Sequence, residues 1–411
     1  MNNRADSINR NSNNTNETIK SAELGAVVVC NDLSAVKSVD SANYAAVNSN
    51  SGHGIMAEEA LNLIDRFAGK AAEIVGRSNE KDGADRLVDG VQLQTKFYSS
   101  GKGCVDACFA DSSEGGMYRY VNPDGSPMPV EVPKDMYGEA VERFAKKITD
   151  GKVPGVNDAG EADKFVKASC LTYDDAKNLC RPMTSQSLLY DAATGIVHCS
   201  FAFGISAAVV FIITMRKSGS VKRSALAAVK TGIKVFGLAY VCHILSSQFA
   251  RTEFFASMWD IASSVESEGS AANVIMEINN GLSLASGGTM YSAATCVRRF
   301  SKALRVGFVI NLLTVIVFLV PDIVRVCFGR ISLGEFCRRV LIIICGRICA
   351  AIAAACISVL LSSLMVLPWV FSMILCLAAA CIGGIYGRTV GEKLWMKIRI
   401  KYKSKSKGIT V

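Results

Sequence analysis

Residues 198–215 read HCSFAFGISAAVVFIITM, eighteen residues without a single Asp, Glu, Lys or Arg. A run of this kind decides the fold. A helix of roughly 20 apolar residues is what crosses a ~30 Å hydrocarbon core. Toward the C-terminus comparable runs follow at Leu226–Leu245, Val306–Val320, Val340–Leu361 and Met365–Tyr386, the last two joined by a turn near Pro368. Lys230 and Lys234 interrupt the Leu226–Leu245 run one turn apart, where their stems can snorkel to the headgroups. Ala271–Cys296 is marginal, because it is rich in Gly, Ala and Ser and carries Glu277. Four to five spans are expected, with one apolar segment re-entrant or interfacial. His243 lies inside an apolar run and needs a partner: a local hydrogen bond, or a conduction path shared with Glu277. Ala350, Ala351, Ala353, Ala354 and Ala355 suit close helix packing, within the bundle or in a homo-oligomer.

Charge divides the chain at the same place. Residues 1–196 hold 21 Lys and Arg against 28 Asp and Glu, a net −7; residues 197–411 hold 24 against 8, a net +16. The acidic half is no general nucleic-acid surface, and the basic half reads as loops flanking spans. The opening MNNRADSINRNSNNTNETIK has no apolar core, so no cleavable signal peptide is expected and the soluble half is expected in the cytoplasm. Ten of the 15 cysteines lie from Cys199 onward, where Cys serves as a small hydrophobe. The four regions expected are 1–50, disordered or weakly ordered, with a weak strand at Ala26–Cys30; 51–196, a soluble domain; 197–387, an all-α multi-span transmembrane region; and 388–411, a basic cytoplasmic tail.

The soluble domain reads as α/β or α+β. Ile55, Ala60, Leu63, Ile64 and Phe67 fall at helical spacing, and Gly69 can end that helix. Ala71–Val75 is a short strand. Asp85–Val88 and Val91–Tyr98 flank Asp89-Gly90, a strong hairpin signal. Strands are expected at Met117–Val121 and Met128–Val132 around an Asn122–Gly125 turn, and helices at Lys134–Thr149, Glu161–Ala168 and Tyr173–Leu179.

The candidate chemistry sits in Gly54–Tyr98. Gln94 and Lys96 stand two apart on one strand and so share a face. If Asp85, on the preceding strand, and Glu58, on the helix, meet them, the set is two carboxylates, an amide oxygen and an ammonium. Such a set can hold Mg²⁺ through oxygens, and Lys96 can orient or help deprotonate a metal-bound water for attack on a phosphodiester. A solvated edge strand is the plain alternative for Gln-Thr-Lys. The order Glu58, Asp85, Gln94-x-Lys96 resembles the core of the PD-(D/E)xK, restriction-endonuclease-like superfamily over about 45 residues, with a Gln where Glu is commoner, as in Mrr-like members. The resemblance implies Asp85 as main metal ligand, Gln94 as a further ligand, Lys96 as catalytic lysine, Glu58 as auxiliary ligand, and DNA as substrate.

HGIMAEEA, NEKDGADRLVDGVQLQTKF, MYRYVNPDGSPMPVEVP, GKVPGV and the start of the apolar half at Phe203-Gly204-Ile205-Ser206 are similar to bacterial inner membrane proteins of the YeeR type. That resemblance implies a multi-pass inner-membrane location and an association with mobile elements, which suits a defence role. Two functions are therefore set against each other: a membrane-anchored Mg²⁺-dependent nuclease, and a non-enzymatic effector or anchor whose apolar half oligomerises or permeabilises the bilayer. Cys104, Cys108, Cys170 and Cys180 form a weak zinc candidate, since Cys-x₃-Cys is looser than the usual knuckle and no His lies nearby.

Overall fold

The computed structural model describes residues 16–36, 52–76, 82–111, 116–252, 270–285, 292–364 and 369–407. The chain divides into two units, one formed by residues 1–40 with 191–411 and one by residues 41–190. A helix over residues 16–36 (α1) belongs to the first unit.

The second unit starts with α2 (Gly52–Phe67). Gly69, at φ +83°, ends it: Gly69 N–H donates to Arg66 O and Lys70 N–H to Asp65 O. Strands β1 (Ala72–Ile74), β2 (Arg86–Val88) and β3 (Val91–Thr95) follow as an antiparallel meander. Asp89 and Gly90 both take positive φ, +50° and +82°, the turn geometry that matches strand twist and that Asp-Gly favours. After α3 (Gly101–Asp106), β4 (Val130–Val132) pairs parallel to β3. Helix α4 (Tyr137–Thr149) and the short α5 (Ala162–Phe165) lead to β5 (Val166–Ala168), parallel to β4. The sheet order is β1-β2-β3-β4-β5. Buried Ala140, Phe144 and Ile148 put one face of α4 into a core with Val105, Tyr118, Val130 and Val132. Helix α6 (Tyr173–Cys180) starts with a capping box between Thr172 and Asp175.

Two expectations change here. Met117–Val121 forms only isolated bridges, Phe109 with Tyr118 and Val121 with Pro127, because Tyr118 N–H is spent on Lys152 O. The expected helix Glu161–Ala168 is helical only to Phe165; its last three residues extend because β4 offers them a ladder, and tertiary pairing overrides helix propensity.

Among the described residues, the regular structure of the first unit is all helical. It contains α7 (Ser185–Ser218) from Asp191 on, α8 (Val221–Ala250), α9 (Ser270–Ala285), α10 (Ala293–Cys327), α11 (Leu333–Leu364) and α12 (Trp369–Lys407). Among the described residues, five stretches are long and apolar enough to cross a membrane: Ser185–Ser218, Val221–Ala250, Cys296–Cys327, Leu333–Leu361 and Val370–Ile400. The marginal segment Ala271–Cys296 is divided: α9, at 16 residues, reaches only about 24 Å, and its C-terminal end belongs to α10. The turn expected near Pro368 lies outside the described residues, as do residues 1–15.

Over residues 16–36, the reading of the N-terminal region as weakly ordered, with a strand at Ala26–Cys30, is corrected by α1; residues 37–50 lie outside the described residues. From Ser21 to Val36 every residue except Asp32 is buried, and Ala26, Val27, Val29 and Cys30 lie in the bundle's main core. Its polar residues hid the helix in the sequence, but each of several finds a partner. Lys234 Nζ donates to Glu23, Asn31 Nδ2 donates to Thr314 Oγ1 (2.9 Å), and His243 Nδ1 meets Ser34 Oγ (2.8 Å).

Candidate functional site

The β2–β3 hairpin brings Asp85 and Lys96 together. Asp85 N–H donates to Leu93 O (2.9 Å) just ahead of β2, and Lys96 N–H donates to Glu131 O (2.9 Å) just beyond β3. The two side chains then meet: Lys96 Nζ donates to Asp85 Oδ2 at 3.0 Å. Thr95 N–H donates to the same oxygen at 2.9 Å. Gly76 closes the other side, where an added Cβ would lie 2.9 Å from Asp85 Cα and 3.1 Å from its Oδ1. The Ala71–Val75 strand signal in the sequence gives no sign of this close approach at the residue that follows it.

Gln94 lies between them in sequence and is fully buried. Its Nε2 donates to Gly83 O, and its Oε1 is buried without a hydrogen-bond partner among the described residues. Lys96 also lies over the Tyr120 ring, 5.0 Å from its centroid. Burial works to lower the Lys96 pKa, but the Asp85 carboxylate and Tyr120 outweigh it and raise the ammonium to about 12. The Asp85 carboxylate thus holds Lys96 as an ammonium beside it.

Glu58 stands half-buried on α2, two residues past the buried Met56. Among the described residues no group of three or more His, Cys, Asp or Glu is placed to hold a metal ion. Asp85 and the unpartnered Gln94 Oε1 thus offer one carboxylate and one amide oxygen. That donor chemistry fits a largely hydrated Mg²⁺, which commonly keeps several waters and takes one or two carboxylates plus substrate phosphate. On the partner face of the sheet, buried Arg86 is held by Asp65 and by Glu131 (Nη1–Oε2 2.6 Å). Burial drives the Glu131 pKa up; at Asp65 it acts in the same direction but is outweighed by hydrogen bonds from Lys70 and Arg86, which hold that carboxyl down. Arg86 has no place in the sequence expectation; its alternation with Ala84 and Val88, two positions to either side on one strand face, was the available signal.

His53 is structural: its Nε2 lies 2.8 Å from Phe97 O and its ring meets Tyr173 edge-on. Cys104 and Cys108 are buried on and just after α3, and burial pushes their thiols up to about 11 and about 12. Cys170 is exposed and Cys180 half-buried. In the helical unit His243 bonds to Ser34 and, at 3.2 Å, to Thr194 Oγ1, the local arrangement of the two expected.

Residues 35–149, which include all four candidate residues, match the family model of the YeeR C-terminal domain. Over 102 residues the chain is 45% identical to the Inner membrane protein YeeR of Escherichia coli (strain K12), a stretch that covers 25% of this chain and 19% of that relative. The chain thus spans about a fifth of the length of the curated relative it matches. No solved structure matches. Through residues 35–149 the chain is similar to a YeeR C-terminal domain, and beyond them the described residues include five helices long and apolar enough to cross a membrane.

Proposed function

We propose that this is a multi-pass bacterial inner membrane protein whose domain over residues 41–190 is a restriction-endonuclease-like phosphodiesterase acting on DNA, in defence against mobile elements or phage. The observation that carries the reading is the Asp85–Lys96 pair, 3.0 Å apart at the open end of a hairpin, with the Gln94 oxygen, unpartnered among the described residues, two positions before Lys96. The element order supports it: a helix, a three-stranded meander, a helix and a parallel strand, the carboxylate beside β2 and Gln-x-Lys at the end of β3. The likeness to a protein named as an inner membrane protein supports the location.

Asp85 and Gln94 would hold a Mg²⁺ ion, which supplies charge neutralisation at a phosphoryl oxygen and a more acidic water. Lys96, protonated, places a fixed positive charge where negative charge builds on the phosphoryl group, a contribution strongest in a site that excludes water. Thr95 N–H and Lys96 Nζ together hold the Asp85 carboxylate in one orientation.

The test is cleavage of plasmid, linear and single-stranded DNA by the full-length protein in detergent, with Mg²⁺ or Mn²⁺, beside Asp85→Ala and Lys96→Ala. Metal-dependent cutting should fall by roughly 10²–10³-fold in both variants, the usual cost of removing one charge-stabilising group. A folded protein that cuts nothing, or variants that cut as well as wild type, would remove the nuclease reading. The second reading, a non-enzymatic membrane anchor or effector, is favoured by one observation: Gln94 leaves the site a charge poorer than an acidic pair would.

A further inference from the structure

The helix ends of the bundle sort into two sets. At one end Glu17 of α1 pairs with Arg388 of α12 (2.8 Å) and Arg338 of α11 (3.5 Å), while Asp322 of α10 pairs with Arg339 of α11 (2.7 Å). Ser224, near the start of α8, meets Met215, near the end of α7, and both helices run from there past α1, since Lys234 of α8 reaches Glu23. This end therefore gathers the start of α1, the α7–α8 turn, the α10–α11 turn and the later part of α12. At the other end Ser34 of α1 meets His243 of α8, which meets Thr194 of α7. Asp191 of α7 pairs with Arg251, which caps α8 (2.6 Å). An added Cβ on Gly307, in the first half of α10, would lie 3.7 Å from Ala35.

Cations are divided very unequally between these ends. Residues 216–223 carry four Lys and Arg, residues 325–339 four, and residues 388–407 eight. The opposite end has Arg251 and the four cations of residues 298–305. Three more, Lys230, Lys234 and Arg347, lie within helices. Counted from residue 197 onward, sixteen against five is the bias that fixes orientation, because Lys and Arg stay on the cytoplasmic side. The cytoplasmic leaflet is anionic, and each Lys or Arg near it gains about 1 kcal/mol.

We infer that the basic end of the bundle is the surface that docks on the anionic cytoplasmic face of the membrane, so that residues 41–190 emerge on the opposite, extracytoplasmic side. Chain connectivity requires the second statement once the first holds. The chain leaves the bundle after residue 36 and returns at Asp191, both at the end poor in cations. The same assignment makes α1 a sixth crossing: residues 16–36 extend about 31 Å, and their two ends pair at the two ends of the bundle. It makes α9 a re-entrant segment, entering and leaving on the extracytoplasmic side, where Gly281 packs on the backbone of Ser358 late in α11. Six crossings return residue 407 to the side of residue 16. The sequence expectation of a cytoplasmic soluble domain is reversed by this proposal. A nuclease so placed would meet DNA arriving from outside and not the chromosome; the orientation itself does not depend on the nuclease reading.

The test is cysteine labelling with a membrane-impermeant maleimide in spheroplasts holding the full chain. Native Cys170, exposed in the domain, is one probe, and Asp174→Cys, at a solvent-facing position of α6, is a second. Cys327, exposed at the end of α10, and Lys222→Cys report on the basic end. The two domain sites should label in intact spheroplasts, with Cys170→Ser abolishing the first signal, and Cys327 and Lys222→Cys should label only after the bilayer is opened with detergent. The reverse pattern would overturn the proposal. So would labelling of both sets from the outside, since the two ends would then not lie on opposite sides.

Discussion

At the scale of single residues, the candidate site depends on small distances that the sequence only partly displays. Asp85, Gln94 and Lys96 were legible because a strand repeats every two residues and Asp89-Gly90 fixes the turn, and the structure joins Asp85 to Lys96 as that register demands. Glu58 was placed by motif order alone, which says nothing about where a helix presents its second turn. Gly76 was not legible, because close approach is a property of the folded neighbourhood. It supplies a test that leaves the charged groups untouched. Gly76→Ala would put a Cβ within 2.9 Å of the Asp85 backbone and move the carboxylate away from Lys96 and Thr95. Overpacking of this kind costs about 1–3 kcal/mol. The variant should remain folded by circular dichroism, melt lower than wild type and lose most of the cleavage that Asp85→Ala loses. Unchanged cleavage with an unchanged melt would mean that the position of Asp85 does not matter.

At the scale of elements, the apolar helices of the bundle were legible and its polar helix α1 was not. The run at 198–215 needs only length and absence of charge, and it is the centre of α7. By contrast, α1 carries Glu23, Asn31 and Asp32 and so read as weakly ordered, although it is among the most buried helices of the chain. The physical reason is that polar groups in a bundle are tolerated when partners on other helices satisfy them, and a single sequence does not show those partners. Glycine spacing was also missed: Gly383, Gly387 and Gly391, four apart on α12, lie against the backbone of α11 at Cys349, Cys345 and Ile342. The Asp191–Arg251 pair tests how much such buried polar links hold. Both side chains are essentially inaccessible, and Gln248 Nε2 donates to the same carboxylate. Removing one partner strands the other charge. Asp191→Ala should cost about 3–5 kcal/mol, whereas replacing both partners by apolar residues, Asp191→Leu with Arg251→Met, should recover much of it. Detergent-solubilised thermal melts read both. If the double variant is no better than the single one, the loss comes from packing and not from an unpaired charge.

At the scale of the whole molecule, the chain order is misleading about what belongs with what. Residues 1–40 are separated from residue 191 by an entire domain, yet they form one unit with 191–411. Ala26, Val27 and Cys30 lie in the same core as Cys199, Ala239, Ala350 and Ala380, from four other helices. Gly25 of α1 lies against the backbone of Ala380, and Gly384 of α12 against that of Ser21, so the two helices meet without side chains between them. A fragment that begins after the domain therefore lacks the centre of its own bundle. Residues 191–411 expressed alone should insert and be degraded or aggregate, because the surface left by α1 is apolar and carries the Lys234, Asn311 and His243 groups that α1 had met. Residues 1–40 supplied as a separate chain should restore a monodisperse, detergent-stable species and copurify with the fragment. Glu23→Ala with Asn31→Leu in that short chain should weaken the rescue, since it removes the links to Lys234 and Thr314 while leaving the apolar face intact. A fragment 191–411 that is equally stable with and without residues 1–40 would show that the bundle closes without α1. In that case the sixth crossing, and the even count that returns residue 407 to the side of residue 16, would fall together.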